Sequence, residues 1–157
     1  MARTYMVPIN AVTVSAAQDL WQITPVAGKP VKILGLVLGQ SSDVGDAASE
    51  TLNLKISRGW ATTGSGGTDL TTTAPPVDPS DAAAGFNAKI NNTTVASAGT
   101  EVKLFADTFN TQAGYQMQFP EGCQPGCSST TGVILTVTIS APADSITLSG
   151  TLIVEEG

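Results

Sequence analysis

The chain has 157 residues, 41% of them hydrophobic, which fits one domain with a sizeable core, but only 13% are charged, about half the usual share. Thirteen acidic against seven basic residues give a net charge of −6, which excludes a phosphate-neutralising nucleic-acid binder and argues against docking on an anionic membrane. With no histidine in the chain, Ser–His–Asp and Cys–His nucleophile systems and most zinc sites are excluded.

The first residues, "MARTYMVPINAVTVSAAQDLW", carry no apolar core after their arginine, so no secretory signal is expected. The longest apolar run, Val31 to Leu38, is far shorter than a membrane span. Synthesis and folding in a host cytoplasm are expected. Polarity comes mainly from Thr, Ser, Asn and Gln, a surface suited to β-structure and to packed contacts between subunits.

Period-2 alternation runs through the chain and no helical stripe competes with it. Strands are expected at Val12 to Ala16 and Leu20 to Thr24. "PVKILGLVLG" is apolar on both parities, which predicts a central strand or one covered on both faces. "SSDVGDAAS" reads as a loop. "ETLNLKIS" then sets Leu52, Leu54 and Ile56 against Asn53, Lys55 and Ser57.

A soft segment follows. From Gly59 to Gly85 the large apolar side chains are Trp60, Leu70 and Val77. Structureless connections above roughly 12–15 residues are usually functional or disordered. So few apolar groups do not offset the entropy of ordering so much chain. The segment is expected either to move freely or to lie, as an arm, on a sister subunit or host lattice. Prolines in "TAPPVDP" favour the arm by lowering the entropy left to lose on docking. Its interface residues are then Trp60, Leu70, Pro75, Pro76 and Val77, with Trp60 as anchor. The alternative for Trp60 is a core ring closing the end of the preceding strand.

"DPSDAAAGFNAKI" is the one place for a short helix, capped by Asp78 or Ser80 and interrupted by Gly85. "NNTT" reads as a loop and "TTVAS" as a weak strand. Asn91 and Asn92 each begin an N-x-Thr triplet, unmodified without secretion. Val102 to Phe105 is a further strand. "GYQMQF" places Tyr115, Met117 and Phe119 on one face. "GVILTVTIS" directs Val133, Leu135, Val137 and Ile139 inward and Thr136 and Thr138 outward. "SITLSGTLIVEE" aligns Ile146, Leu148, Leu152 and Val154. Eight or nine strands punctuated by turn residues predict an all-β, antiparallel two-sheet sandwich, jelly-roll-like, over residues 1–157 with a long loop or arm at 59–85. An open-ended barrel is the alternative.

Few residues recommend chemistry. "GSGGTD" has glycines but lacks the Lys-Ser/Thr ending of a phosphate loop. Cys123 and Cys127 flank a Pro-Gly turn in "CQPGC". They form either a disulfide once outside the cell or two unpaired thiols beside the turn. Asp43, Asp46 and Glu50 cluster without the spacing of a calcium loop and read as a polar turn. No carboxylate spacing recommends glycoside hydrolysis. A sugar platform would have to come from Trp21, Trp60 or Tyr115. No catalytic residue, metal site or cofactor is expected, and the chain is read as not an enzyme.

One resemblance bears on role. Arg58-Gly59 at a strand end, the Gly64 to Gly67 loop with Pro75, Phe109-Asn110 with Ala113-Gly114, Pro120-Glu121, Ser149 to Thr151 and Glu155-Glu156 resemble a family of small uncharacterised tailed-bacteriophage proteins. The likeness covers most of the chain after residue 30; "CQPGC" departs from it. The resemblance implies a virion structural protein. The expected role is a capsid decoration or cement protein, located in the virion, whose partners are itself and the major capsid protein or another virion protein. By analogy with jelly-roll habits and lattice symmetry a homotrimer is expected. The alternative is a carbohydrate- or receptor-binding module of a virion or tail component.

Overall fold

The computed structural model describes residues 2–42, 50–70, 74–130 and 133–157. It holds eleven strands: β1 Arg3–Val14, β2 Gln18–Thr24, β3 Val31–Gln40, β4 Thr51–Thr62, β5 Thr68–Asp69, β6 Asn87–Asn92, β7 Ser97–Asn110, β8 Tyr115–Gln118, β9 Gly126–Cys127, β10 Leu135–Ile139 and β11 Ile146–Glu156. One sheet has the order β1-β11-β3-β8, with β9 also on β3, and the other β5-β6-β2-β10-β4-β7. All pairings between these strands are antiparallel. Without β5, β6 and β9, the orders β1-β11-β3-β8 and β2-β10-β4-β7 are those of a jelly roll, two interleaved Greek keys folded face to face.

The core forms where the inward parities of the two sheets meet. Val7, Ile9, Ile33, Leu36, Leu148, Leu152 and Val154 come from one sheet, and Leu20, Trp21, Leu54, Ile56, Leu135 and Val137 from the other. Trp21 is fully buried and still satisfied, because its Nε1–H donates to the Val7 carbonyl of the opposite sheet at 2.8 Å. Gly150 is required in β11, since a Cβ there would stand 2.2 Å from the Val37 carbonyl oxygen on β3.

Several elements differ from the sequence reading. The first strand starts at Arg3, not Val12, and pairs with β11 as far as Val14. Pro8 hides this pattern, yet β1 is a sheet edge, where proline costs no ladder bond on its open side. A bulge follows at Ala11, with φ of 51° and its N–H held by Ser149 Oγ at 2.8 Å. The strand β3 is central, as expected, but not covered on both faces: Val37 is 39% exposed. Its double parity comes from a register shift between Ile33 and Gly35, which turns both Ile33 and Leu36 inward. No helix forms at residues 78–90. The Asp78 carboxylate instead accepts the Ser80 N–H and Oγ–H, which closes a local turn, and 87–92 become β6. Val133 lies outside β10 and is exposed.

The long connection from β4 to β7 departs furthest from expectation. Residues 59–62 finish β4 and 68–69 form β5. The Gly64 N–H donates to Gln22 Oε1, Ser65 bridges to Thr94, and the Leu70 N–H donates to the Ala88 carbonyl. The chain then reaches the open edge of β1: the Met6 N–H donates to the Pro75 carbonyl and the Val77 N–H to the Thr4 carbonyl, at 3.1 and 2.9 Å. Tyr5 Oη donates to the Ala82 carbonyl, and Arg3 pairs with Asp81. The return is clasped by Glu156, whose Oε2 accepts the Gly85 and Phe86 N–H groups while Oε1 pairs with Lys29. The described residues of 59–85 are thus a belt on their own sandwich, and the premise that this domain cannot hold them is corrected. Counting large apolar side chains omitted the backbone partners that a free strand edge supplies.

Glu156 is buried, so its removal strands two amide donors, while the half-exposed Lys29 ammonium turns to water. Glu156→Ala is expected to lower unfolding free energy by about 1–3 kcal/mol in urea titration. Amide exchange should speed up at 74–86 more than in the β10 core.

Candidate functional site

The outward face of the six-stranded sheet is not a solvent face. Asp19, Gln22, Ser57, Asn92 and Thr136 lie on it and are buried. Covering them requires partners, and the connections on either side of β6 provide these. Asp19 Oδ2 accepts the Ala96 N–H at 2.7 Å, and Oδ1 accepts the Thr138 hydroxyl at 2.6 Å. Gln22 Oε1 takes the Gly64 N–H and Asn92 Nδ2. Trp60 Nε1–H donates to Thr136 Oγ1 at 3.0 Å.

Beside this ridge runs a groove of about 550 Å³, lined by Ala17, Asn53, Lys55, Val95, Lys103, Ala106, Asp107, Thr108, Thr138 and Ser140 among others. Strands β4, β7 and β10 form its floor, and the connections before β2 and β7 supply Ala17 and Val95. Lys55 Nζ donates to Glu101 Oε1 at 2.8 Å, Ser57 Oγ donates to the same oxygen, and Lys55 also stands over the Trp60 ring. Burial acts to raise the Glu101 carboxyl, but these two hydrogen bonds and the charges of Lys55 and Lys103 together outweigh it and hold it below its ordinary value. Burial dominates at Asp19 and raises its carboxyl, against the bonds from Thr138 and Ala96. The groove presents hydroxyl, amide and ammonium groups over an apolar floor, an arrangement suited to holding a surface. Among the described residues no three side chains of the metal-ligating kind gather.

The sequence-predicted residues do not converge on one site. Trp60 is half-buried at the end of β4, tied to Thr136. Leu70 packs against the core. Pro75 and Pro76 lie along β1, where Pro76 bridges Tyr5, and Val77 is 55% exposed. Glu50 accepts the Ala143 N–H; Asp43 and Asp46 fall outside the described residues. Of the three rings named for a sugar platform, Trp21 is buried, Trp60 is held by Thr136 and Lys55, and Tyr115 donates its hydroxyl to Asp107. Burial first, and then the Asp107 hydrogen bond and charge, raise the Tyr115 hydroxyl above its ordinary value. Cys123 is exposed and Cys127 buried on β9, and both are free thiols. Burial pushes Cys127 up to about 12, against the nearby Arg58.

Sequence reasoning missed the ridge. "QDLWQIT" breaks its alternation with two polar residues three apart, Asp19 and Gln22. That spacing marks the bulge opposite Val137 and Thr138 which brings both to the outward face.

No protein-family model matches the chain, and no curated protein matches it. Among solved structures, the chain aligns with one from work titled "Crystal structure of the T13 IBDV viral particle reveals a missing link in icosahedral viruses evolution", at 12% identity and a TM-score of 0.22. The alignment covers 98% of this chain and 39% of that one.

Two outcomes follow from the carboxyl and the thiols. The folded Asp19 carboxyl keeps its proton to higher pH than the unfolded one, so the folded state binds more protons in that interval. The stability it contributes is complete below the unfolded value and is lost as pH rises through the folded one. Asp19→Asn removes this loss, so the stability of the variant relative to the parent should rise from acid to neutral pH in urea titrations. A maleimide reagent at pH 7 should label Cys123 rapidly and Cys127 only after denaturation, as peptide mass spectrometry will read.

Proposed function

We propose that this chain is a non-enzymatic structural protein of a bacteriophage virion, a capsid decoration or cement protein that binds the lattice as a homo-oligomer. The observation that carries the reading is a jelly roll closed by its own belt along one side and, among the described residues, left open along the other. On the closed side Tyr5 and Phe86 are buried together with Ala74 and Ala84 of the belt itself. On the other side no ladder joins the edges β7 and β8; they meet through Phe105 against Phe119 at 5.1 Å and Phe109 against Tyr115 at 5.4 Å between centroids, and through the Tyr115 hydroxyl on Asp107. A sandwich that covers one flank with its own chain, and whose other flank no strand covers among the described residues, has a flank suited to a partner.

Three further features support the reading. The sequence resembles small tailed-phage proteins. Charged residues are scarce, which favours packed contacts over a solvated coat. Jelly rolls also serve as capsid and lectin domains, a likeness of architecture alone. The mechanism is mechanical: rigid sandwiches add many weak contacts across a repeating lattice, and multivalency converts them into firm attachment. The contacts expected of the 59–85 arm pass to the open flank, since the belt is occupied at home. The sugar-binding alternative loses its aromatic platform to the internal contacts of Trp21, Trp60 and Tyr115.

The test is co-sedimentation of the purified protein with phage particles from which its gene has been deleted, followed by cryo-electron microscopy. Saturation at a fixed copy number, with density at symmetry-related lattice positions, is expected. Absence of the chain from intact particles by mass spectrometry, together with no co-sedimentation, would refute the proposal.

A further inference from the structure

The strand β7 is the terminal strand of its sheet, fourteen residues long. Among the described residues nothing pairs with its outer side. The other long edge, β1, takes Pro75 to Val77 of the belt, while β5 and β8 are only two and four residues long. The outward direction of β7's main chain follows from its inner neighbour. The Asn53 N–H goes to Ser140 Oγ and its carbonyl accepts the Ser140 N–H, both on the side of β10. Opposite Asn53, Thr108 therefore turns its own groups away from β4, as does Ala106 opposite Lys55.

Both ends of this edge are closed. The Thr108 N–H is taken by Asp107 Oδ1 at 2.8 Å. At the other end Ala98 and Gly99 have φ of 55° and 78°, beside a register shift against β4. Between these guards lie Thr100 to Ala106, with Val102 43% exposed and Lys103 exposed and in no ion pair among the described residues. Half-buried Leu104, Phe105, Met117 and Phe119 flank it.

We infer that β7 pairs antiparallel with β7 of a second copy, across a two-fold axis at Val102, joining two six-stranded sheets into one. Charge selects both partner and register. Centred on Val102, Glu101 of each copy stands opposite Lys103 of the other; its Oε1 is held by Lys55 and Ser57 of its own chain, so each Lys103 extends an existing ion pair, and the two exposed valines are apposed. Centring on Lys103 sets lysine against lysine, and centring on Leu104 sets Glu101 against Asp107. Centring on Phe105 would set Lys103 against Asp107, but the register shift between Ile56 and Ser57 leaves Lys103 turning its main chain outward and Asp107 turning its own toward β4, so those two cannot share a ladder. Of these registers the first alone pairs opposite charges on compatible backbone, as an isologous contact requires. The inference specifies the oligomer of the proposed function and rests on that part of it; it makes the basic unit a two-fold pair in place of the trimer suggested by lattice analogy.

The experiment is light scattering after size exclusion, over a concentration series of the full chain. The parent should show the mass of two 16.0 kDa chains. Lys103→Glu should weaken the pair by about tenfold or more. Mixing it with a Glu101→Lys chain should restore a heterodimer, because the opposed charges then match again. Val102→Glu sets two carboxylates against each other at the two-fold axis, at a position already 43% exposed, and should reduce pairing while preserving the circular dichroism spectrum. A parent that stays monomeric overturns the inference. So does an oligomer indifferent to both single variants, or a mixture that fails to recombine; an indifferent oligomer would leave the virion reading standing with another interface. Particle binding is not read here, so the failure of either can be told from the failure of the other.

Discussion

The structure depends on one constraint: the six-stranded sheet carries a polar ridge on its outward face that has to be covered and hydrogen-bonded. Asp19, Gln22, Asn92 and Thr136 are buried without being core. A buried polar group left unpaired costs more than a surface bond returns. The connections on both sides of β6 meet most of this demand, with Asn92 Oδ1 left without a partner among the described residues. One lays Gly64 on Gln22, just after the end of β4 sets Trp60 on Thr136, and the other delivers the Ala96 N–H to Asp19. The length of the insertion between β4 and β7 follows from this. It must cross the outward face, run out to β6, close the β1 edge and return.

The two flanks of the sandwich then acquire different characters. At β1 the belt satisfies edge amides and buries Tyr5 against Phe86, whose rings meet edge to face at 5.3 Å. Glu156, at the end of the last strand, locks that closure through two backbone amides and Lys29. Nothing comparable lies among the described residues at β7 and β8. The same chain thus treats one edge as interior and the other as surface, and Lys103, the bulge at Gly99 and the Asp107 cap restrict what can pair there. These are the devices by which edge strands avoid indiscriminate addition, and they leave a short self-complementary stretch between them.

The buried acids are used for architecture. Asp19 and Glu156 each accept main-chain N–H groups from segments distant in sequence. Their placement ties crossovers to sheets, and it makes the fold sensitive to acid–base state at the ridge, where burial outweighs hydrogen bonding.

Alternation in "ETLNLKIS", "LTVTI" and "SITLSGTLIVEE" determined strands β4, β10 and β11 and the inward residues Leu54, Val137 and Leu152, because a period of two along a half-buried strand is local information. The absence of histidine and the scarcity of charge likewise bounded the chemistry. The candidate groove was not legible, for its walls come from β4, β7, β10 and two connections far apart in the chain. The belt was misread for the same reason. Its cohesion lies in bonds from Pro75 to Met6 and from Gly85 to Glu156, which join residues that no sequence window contains together. The sequence alone therefore determined which segments are extended and which side of each is apolar; the tertiary structure alone decided which edges and polar faces are covered, since cover is supplied by partners remote in the chain.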